Sequence, residues 1–168
     1  MINSLRLTAA VAALALTATP VLAAPVSPDK QATATARIVK PLTLAWVQDL
    51  DFGTVTLVDS GPTTISVAQD GTRSCPGTAV TCSGASTAAR YLITGTNNQV
   101  VTVNSSNVSM TGPAGSTPLL VTVNAPASVN LGNSGAAGAP LNIGGSISVA
   151  GSQAEGTYAG TFAVTVNY

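Results

Sequence analysis

From Thr157 to Tyr168 the chain reads TYAGTFAVTVNY. Tyr158, Phe162, Val164, Val166 and Tyr168 share one parity, with Gly160 among them. Thr157, Thr161, Ala163, Thr165 and Asn167 take the other. Successive side chains of a strand point to opposite faces, so the run predicts a strand with one buried face, extending to the last residue. Ala32, Ala34, Ala36 and Ile38 alternate in the same way with Thr33, Thr35, Arg37 and Val39. Pro41 then interrupts, which suits a kink or an edge position rather than a central strand.

Between these two runs, helix signals are nearly missing. Leu, Glu, Lys and Arg are sparse after residue 24, while Thr, Val, Ser and Gly dominate, and Thr and Val favour strands. Short strands are expected over residues 42–47, 50–58, 63–67, 90–94, 99–104 and 119–124. Weaker ones are expected over 129–131 and 143–149, with Gly53 at a bulge or close approach. Turn chemistry separates them at Asp70-Gly71, Asn97-Asn98, Gly112-Pro113, Ala125-Pro126 and Asn133 to Gly138. The Gly/Ala-rich stretch 130–145 reads as a long flexible loop. Many short strands without intervening helices predict an all-β, antiparallel sandwich or barrel.

Residues 1–23 read as a secretory signal peptide. Arg6 supplies the positive charge, Leu7 to Leu16 the apolar run, and Val21-Leu22-Ala23 the small residues before cleavage. A membrane anchor needs about 20 apolar residues, more than this run provides. Residues 24–168 are then expected to fold as one domain without a membrane-spanning helix. Cys75 and Cys82, in CPGTAVTC, are the only cysteines. In an oxidising compartment such a pair forms a disulfide at a loop or hairpin tip, constraining the unfolded chain by about 2–3 kcal/mol. A metal or redox pair would need Cys-x-x-Cys spacing or further ligands.

Chemistry is scarce. The chain has no His, which excludes His-ligated zinc, a proximal-His haem and Ser-His or Cys-His nucleophiles. Six basic and six acidic residues leave no basic footprint for nucleic acid. Asp49, Asp51 and Asp59 form the one acidic cluster. Asp49 and Asp51 share a strand face, but Ca²⁺ wants six to eight oxygens, and a solvated strand end is the simpler reading. As a glycosidase pair they would need a cleft rich in aromatics, and aromatic residues are only 4% of the chain. Gly132 to Gly138 lacks the Lys-Ser/Thr of a phosphate loop. Asn104 and Asn107 each head an Asn-x-Ser triplet, a weak glycosylation pattern. Trp46, the single tryptophan, is expected in the core by default; exposed, it would serve as a sugar platform. No catalytic residue, metal or cofactor is expected.

Three motifs in order, ATATARIVKPLTL, LDFGTV and GTYAGTFAVTVNY, resemble the exported bacterial family known as domain of unknown function 4402. That family is in turn similar to the spore coat protein U domain and to chaperone–usher pilins. The resemblance implies an immunoglobulin-like, pilin-like sandwich in a surface or fibre protein of a Gram-negative bacterium, found in the periplasm, on the cell surface or outside the cell. Pilin-like relatives often place a Cys near the mature N-terminus, whereas Cys75 and Cys82 are local to each other.

A structural role without catalysis is therefore expected: a subunit or minor component of a surface fibre. Expected partners are copies of itself or other fibre subunits, with a periplasmic chaperone among them. In donor-strand complementation an extended segment of one subunit completes the sheet of the next. Ala32, Ala34, Ala36 and Ile38 would then be the inserted knobs, and Tyr158, Phe162, Val164, Val166 and Tyr168 the acceptor face. The competing arrangement pairs the N-terminal strand within its own domain, and small Ala knobs, burying little area, lean toward it. The alternative function is a cell-surface adhesin or carbohydrate-binding module centred on Trp46 and Asp49. A small outer-membrane barrel would need aromatic girdles and longer strands than those after residue 60.

Overall fold

The computed structural model describes residues 25–133 and 135–168; the expected signal peptide lies outside them. The chain divides between Ala36 and Arg37 into two units. Residues 25–36 carry no strand, only a bend at Asp29-Lys30. Every strand among the described residues belongs to the second unit.

Those strands are β1 (Thr43–Gln48), β2 (Thr54–Leu57), β3 (Thr63–Val67), β4 (Arg73–Ser74), β5 (Val80–Ser83), β6 (Ala89–Thr94), β7 (Val100–Ser105), β8 (Val108–Met110), β9 (Leu119–Asn124), β10 (Ser128–Asn130), β11 (Ala139–Val149) and β12 (Val164–Asn167). All pairings are antiparallel. The protein is an all-β antiparallel sandwich, as the alternation and turn chemistry predict.

β11 organises it. Its first half, Ala139 to Ile143, pairs with β6, which pairs with β1. Its second half, from Gly144, pairs with β9 on one edge and β3 on the other. The strand changes neighbours at Gly144-Gly145. A Cβ at Gly144 would lie 2.3 Å from the Val67 carbonyl oxygen, so only glycine lets β3 approach there. Pro140 is tolerated because this half of β11 has β6 as its only ladder partner, leaving an edge for the missing N–H. Over β1, β6 and the first half of β11 lies a second sheet, β10-β7-β12. A two-stranded ribbon, β2-β5, stands apart from both.

The apolar side chains form two cores. One gathers Ala89, Ile93, Val101, Val103, Leu131, Ala139, Leu141 and Ile143 between the facing sheets. The other gathers Phe52, Ile65, Val67, Val80, Ala88, Leu119, Val121, Ile147 and Val149 under the ribbon. Leu50 and Val123 touch both. Burying a side chain of this size contributes about 1.5–3 kcal/mol.

The structure corrects several expectations. Residues 32–38 form no strand. The terminal strand is limited to Val164–Asn167; upstream only Ala159 bridges, to Thr111. The stretch 130–145 is no long loop, because β11 begins at Ala139 and Leu131 is buried in the core. β4, β5 and β8 are additional strands. The Cys75–Cys82 disulfide is present, with Cα atoms 6.2 Å apart. It does not cap a hairpin, since β4 pairs with β3 and β5 with β2. It fastens the ribbon to the larger sheet.

Candidate functional site: an unsealed flank

The LDFG motif builds one wall. Asp51 exchanges backbone hydrogen bonds with Thr87, and its carboxylate accepts the Gly53 N–H at 2.8 Å. This tight turn drives Phe52 into the core and starts β2. Gly53 has φ +73°, and a Cβ there would meet an Arg73 guanidinium nitrogen at 2.2 Å and two carbonyl oxygens at 2.8 Å. Arg73 donates to the carbonyls of Phe52, Ser83 and Gly84 at 2.9, 2.9 and 3.2 Å, locking the ribbon to the turn.

The terminal motif builds the opposite wall. The Tyr158 hydroxyl accepts from Gln153 Nε2 at 2.7 Å and donates to the Ala154 carbonyl at 2.9 Å. Its ring lies against Gly112, where a Cβ would sit 2.3 Å away. Thr111 and Ala159 exchange backbone hydrogen bonds. Phe162, then Val164 and Val166 on β12, pack on the core between the sheets. At the foot the Tyr168 hydroxyl donates to the Lys40 carbonyl at 2.6 Å and accepts the Thr96 N–H at 2.8 Å. The end of β12 is thus fastened to the approach of β1.

Between these walls the sandwich is open. β1 and β12 are both edge strands, each with a ladder on one side only. β10 approaches β11, which places β12 on the β1 flank. Leu44 and Trp46 pair with Ile93 and Tyr91, on the face that carries the buried Leu141. Leu44 is half-buried; Trp46, on the core-side face, is 62% exposed. Opposite, Tyr158, Phe162, Val164 and Val166 are only half-buried and Tyr168 is 46% exposed. These are core positions without a cover. At the head the gap widens into a cleft of about 720 Å³ between Leu50–Leu57 and Gln153–Tyr158, floored by Met110, Leu119, Ile147 and Val149.

Of the five expected acceptor residues, Tyr158 packs on the core under the ribbon and Phe162, Val164 and Val166 on the core between the sheets, while Tyr168 belongs to neither and is 46% exposed. Ala32, Ala34 and Ala36 are exposed, as is Ile38 at 93%. Sequence reasoning missed Leu44 as part of the other wall. It expected Trp46 in the core by default; the structure overturns that, with Trp46 on the core-side face of β1 but 62% exposed, because no strand among the described residues covers it.

The acidic residues are engaged locally. Asp49 accepts from Trp46 Nε1 at 2.9 Å and Asp59 from the N–H of the adjacent residue Ser60 at 2.6 Å. Burial, then the nearby Asp49 charge, pushes the Tyr91 phenol above its ordinary value. Asn107 spends its side-chain oxygen on the Val123 N–H at 2.9 Å, closing the β8–β9 hairpin. What the opening offers is apolar surface and two unpaired strand edges, an arrangement suited to binding an extended peptide.

A family model described as a domain of unknown function, DUF4402, matches residues 42–168, from the start of β1 to the last residue. No curated protein and no solved structure matches the chain. The match spans both walls of the opening and every strand of the sandwich: the chain belongs to the DUF4402 family.

Proposed function

We propose that the protein is an exported, non-enzymatic structural subunit of a bacterial surface fibre, whose incomplete sandwich is completed by a strand from a neighbouring copy. The carrying observation is Trp46: a side chain on the core face of an edge strand, facing a half-buried β12, with most of its surface bare. The natural occupant is the alternating segment Ala32–Ile38, which belongs to no sheet. In this reading the protein is immunoglobulin-like and pilin-like. Its signal peptide directs it across the inner membrane, and a periplasmic chaperone lends a strand before assembly. The low charge of the chain, 7% of residues, suits a surface that meets copies of itself.

A synthetic peptide spanning residues 25–39 tests this. Added to the mature protein, it dissolves oligomers into peptide-capped monomers and raises the melting temperature, as any ligand of the folded state does. A peptide with Ala34→Asp and Ile38→Asp does neither. If both peptides are inert toward stable oligomers, the donated strand is wrong. Robust hydrolytic turnover lost on replacing Asp49 or Asp51 would overturn the non-enzymatic reading.

The exposure of Trp46 also favours a second reading, an adhesin or carbohydrate-binding module using its indole as a platform beside Asp49. Quenching of Trp46 fluorescence by an oligosaccharide but not by the peptide would select it.

A further inference from the structure

The cleft between Leu50–Leu57 and Gln153–Tyr158 has firm walls, an apolar floor and a one-sided chemistry at its mouth. We propose that it binds a small molecule that joins an apolar body to a protonated amine, the body against the floor and the ammonium between Asp51 and Glu155. The lining comes from a single chain, so this site stands apart from strand donation between copies.

Both walls are pinned before any ligand arrives. One is the LDFG turn, held by the Asp51 carboxylate on the Gly53 N–H and by Arg73 on the carbonyls of Phe52, Ser83 and Gly84. The other is the loop over residues 153–158. The Gln153 N–H donates to the Ala150 carbonyl at 3.0 Å and its Nε2 to the Thr117 carbonyl at 2.6 Å, while the Tyr158 hydroxyl ties back to Ala154. Gly156 lies so close to Pro113 that a Cβ would sit 2.3 Å from the proline Cγ. The floor, Met110, Leu119, Ile147 and Val149, belongs to the core under the ribbon or packs against it. A preformed concavity spares a ligand the cost of ordering its site, and about 720 Å³ falls within the usual range for small-molecule sites.

Hydrogen-bonding capacity decides the class of ligand. Two side-chain donors that face the cleft are already spent: Gln153 Nε2 on Thr117 and Tyr158, and the Tyr158 hydroxyl on Ala154. No Lys or Arg lines the cleft, and the Arg73 guanidinium beside Gly53 is consumed by three carbonyls. Acceptors remain: Gln153 Oε1, the second oxygen of Asp51 and the exposed Glu155 carboxylate. Asp51 and Glu155 stand on opposite walls, so both reach one group at the mouth. An ammonium brings three donors and the opposite charge. A carboxylate would meet like charge and no cation. An apolar body removes the floor from water, which a wholly polar amine would leave bare.

Saturation-transfer NMR titrations of the mature protein with phenylbutylammonium, phenylbutanol and phenylbutanoate, which share one body, test this. Affinity is expected to fall in that order, with the amine about fivefold tighter than the alcohol, the upper range for an exposed ion pair. Glu155 is exposed on a loop, so its variants are expected to fold like the parent. Glu155→Gln brings the amine down toward the alcohol and leaves the alcohol unmoved, and Glu155→Lys reverses the order of amine and carboxylate. Asp51→Asn, which keeps an oxygen for the Gly53 N–H, acts like Glu155→Gln. Equal binding of the three probes, binding of none, or an order that Glu155→Lys leaves unchanged would each overturn the proposal.

Discussion

Two segments of this chain share one pattern and have different fates. Residues 158–168 and 32–38 both alternate with a period of two, yet the first is bonded into the sandwich and the second forms no ladder. Knob size separates them. Tyr158, Phe162, Val164 and Val166 bring enough apolar area to hold a strand at about 25 cal/mol per Å², whereas a methyl group brings little. The ends are also pinned differently: Tyr158 and Tyr168 each make two hydrogen bonds that fix the terminal run at head and foot. An alternating pattern specifies which face is apolar; it does not specify whose sheet the strand joins.

The strongest perturbation of this contrast lies in the wall opposite the terminal run. Gly53→Ala forces a left-handed backbone and a clash with Arg73, and is expected to cost about 3 kcal/mol, read as a large fall in the denaturant midpoint. A stability within experimental error of the parent would show that the turn relaxes freely. Phe162→Ala, on the segment that stays, should cost about 2 kcal/mol, at the low end for core truncation because the ring is half-buried. Ile38→Ala, on the segment that leaves, should change monomer stability by less than about 0.5 kcal/mol while weakening assembly. Equal effects in the monomer would erase the distinction between the segments.

Tyr168→Phe removes the hydroxyl that joins β12 to the approach of β1. A loss of about 1 kcal/mol is expected, with faster amide exchange at Thr96. The smallest effect concerns acid. The Thr72 backbone and side chain hydrogen-bond Asp70 and hold its carboxyl below the ordinary value. Its contribution is complete above the unfolded value and is lost as pH falls through the lower folded one, a dependence that Asp70→Asn should flatten.

How much of this was legible in the sequence depends on the range of the interaction concerned. Residues 63–67 and 119–124 match β3 and β9 because their alternation and bounding turns are local. β4, β5 and β8 escape because two to four residues are too few to display a period. The first half of β11 was hidden by Pro140 and Gly144-Gly145, which read as breakers unless the unpaired edge and the close approach of β3 are known. The LDFG motif was visible, but its reason was not, since it needs Arg73 to arrive from twenty residues away. The terminal run announced one wall of the opening. The opening itself is a missing neighbour, and no residue encodes that by its type or spacing.

Whether the sandwich needs that neighbour can be measured by size-exclusion chromatography with light scattering on the mature protein, beside a version lacking residues 24–38. The account predicts a ladder of oligomers for the first and a folded monomer with an intact melting transition for the second. Identical monomers in both would contradict it, as would a truncated chain that no longer folds.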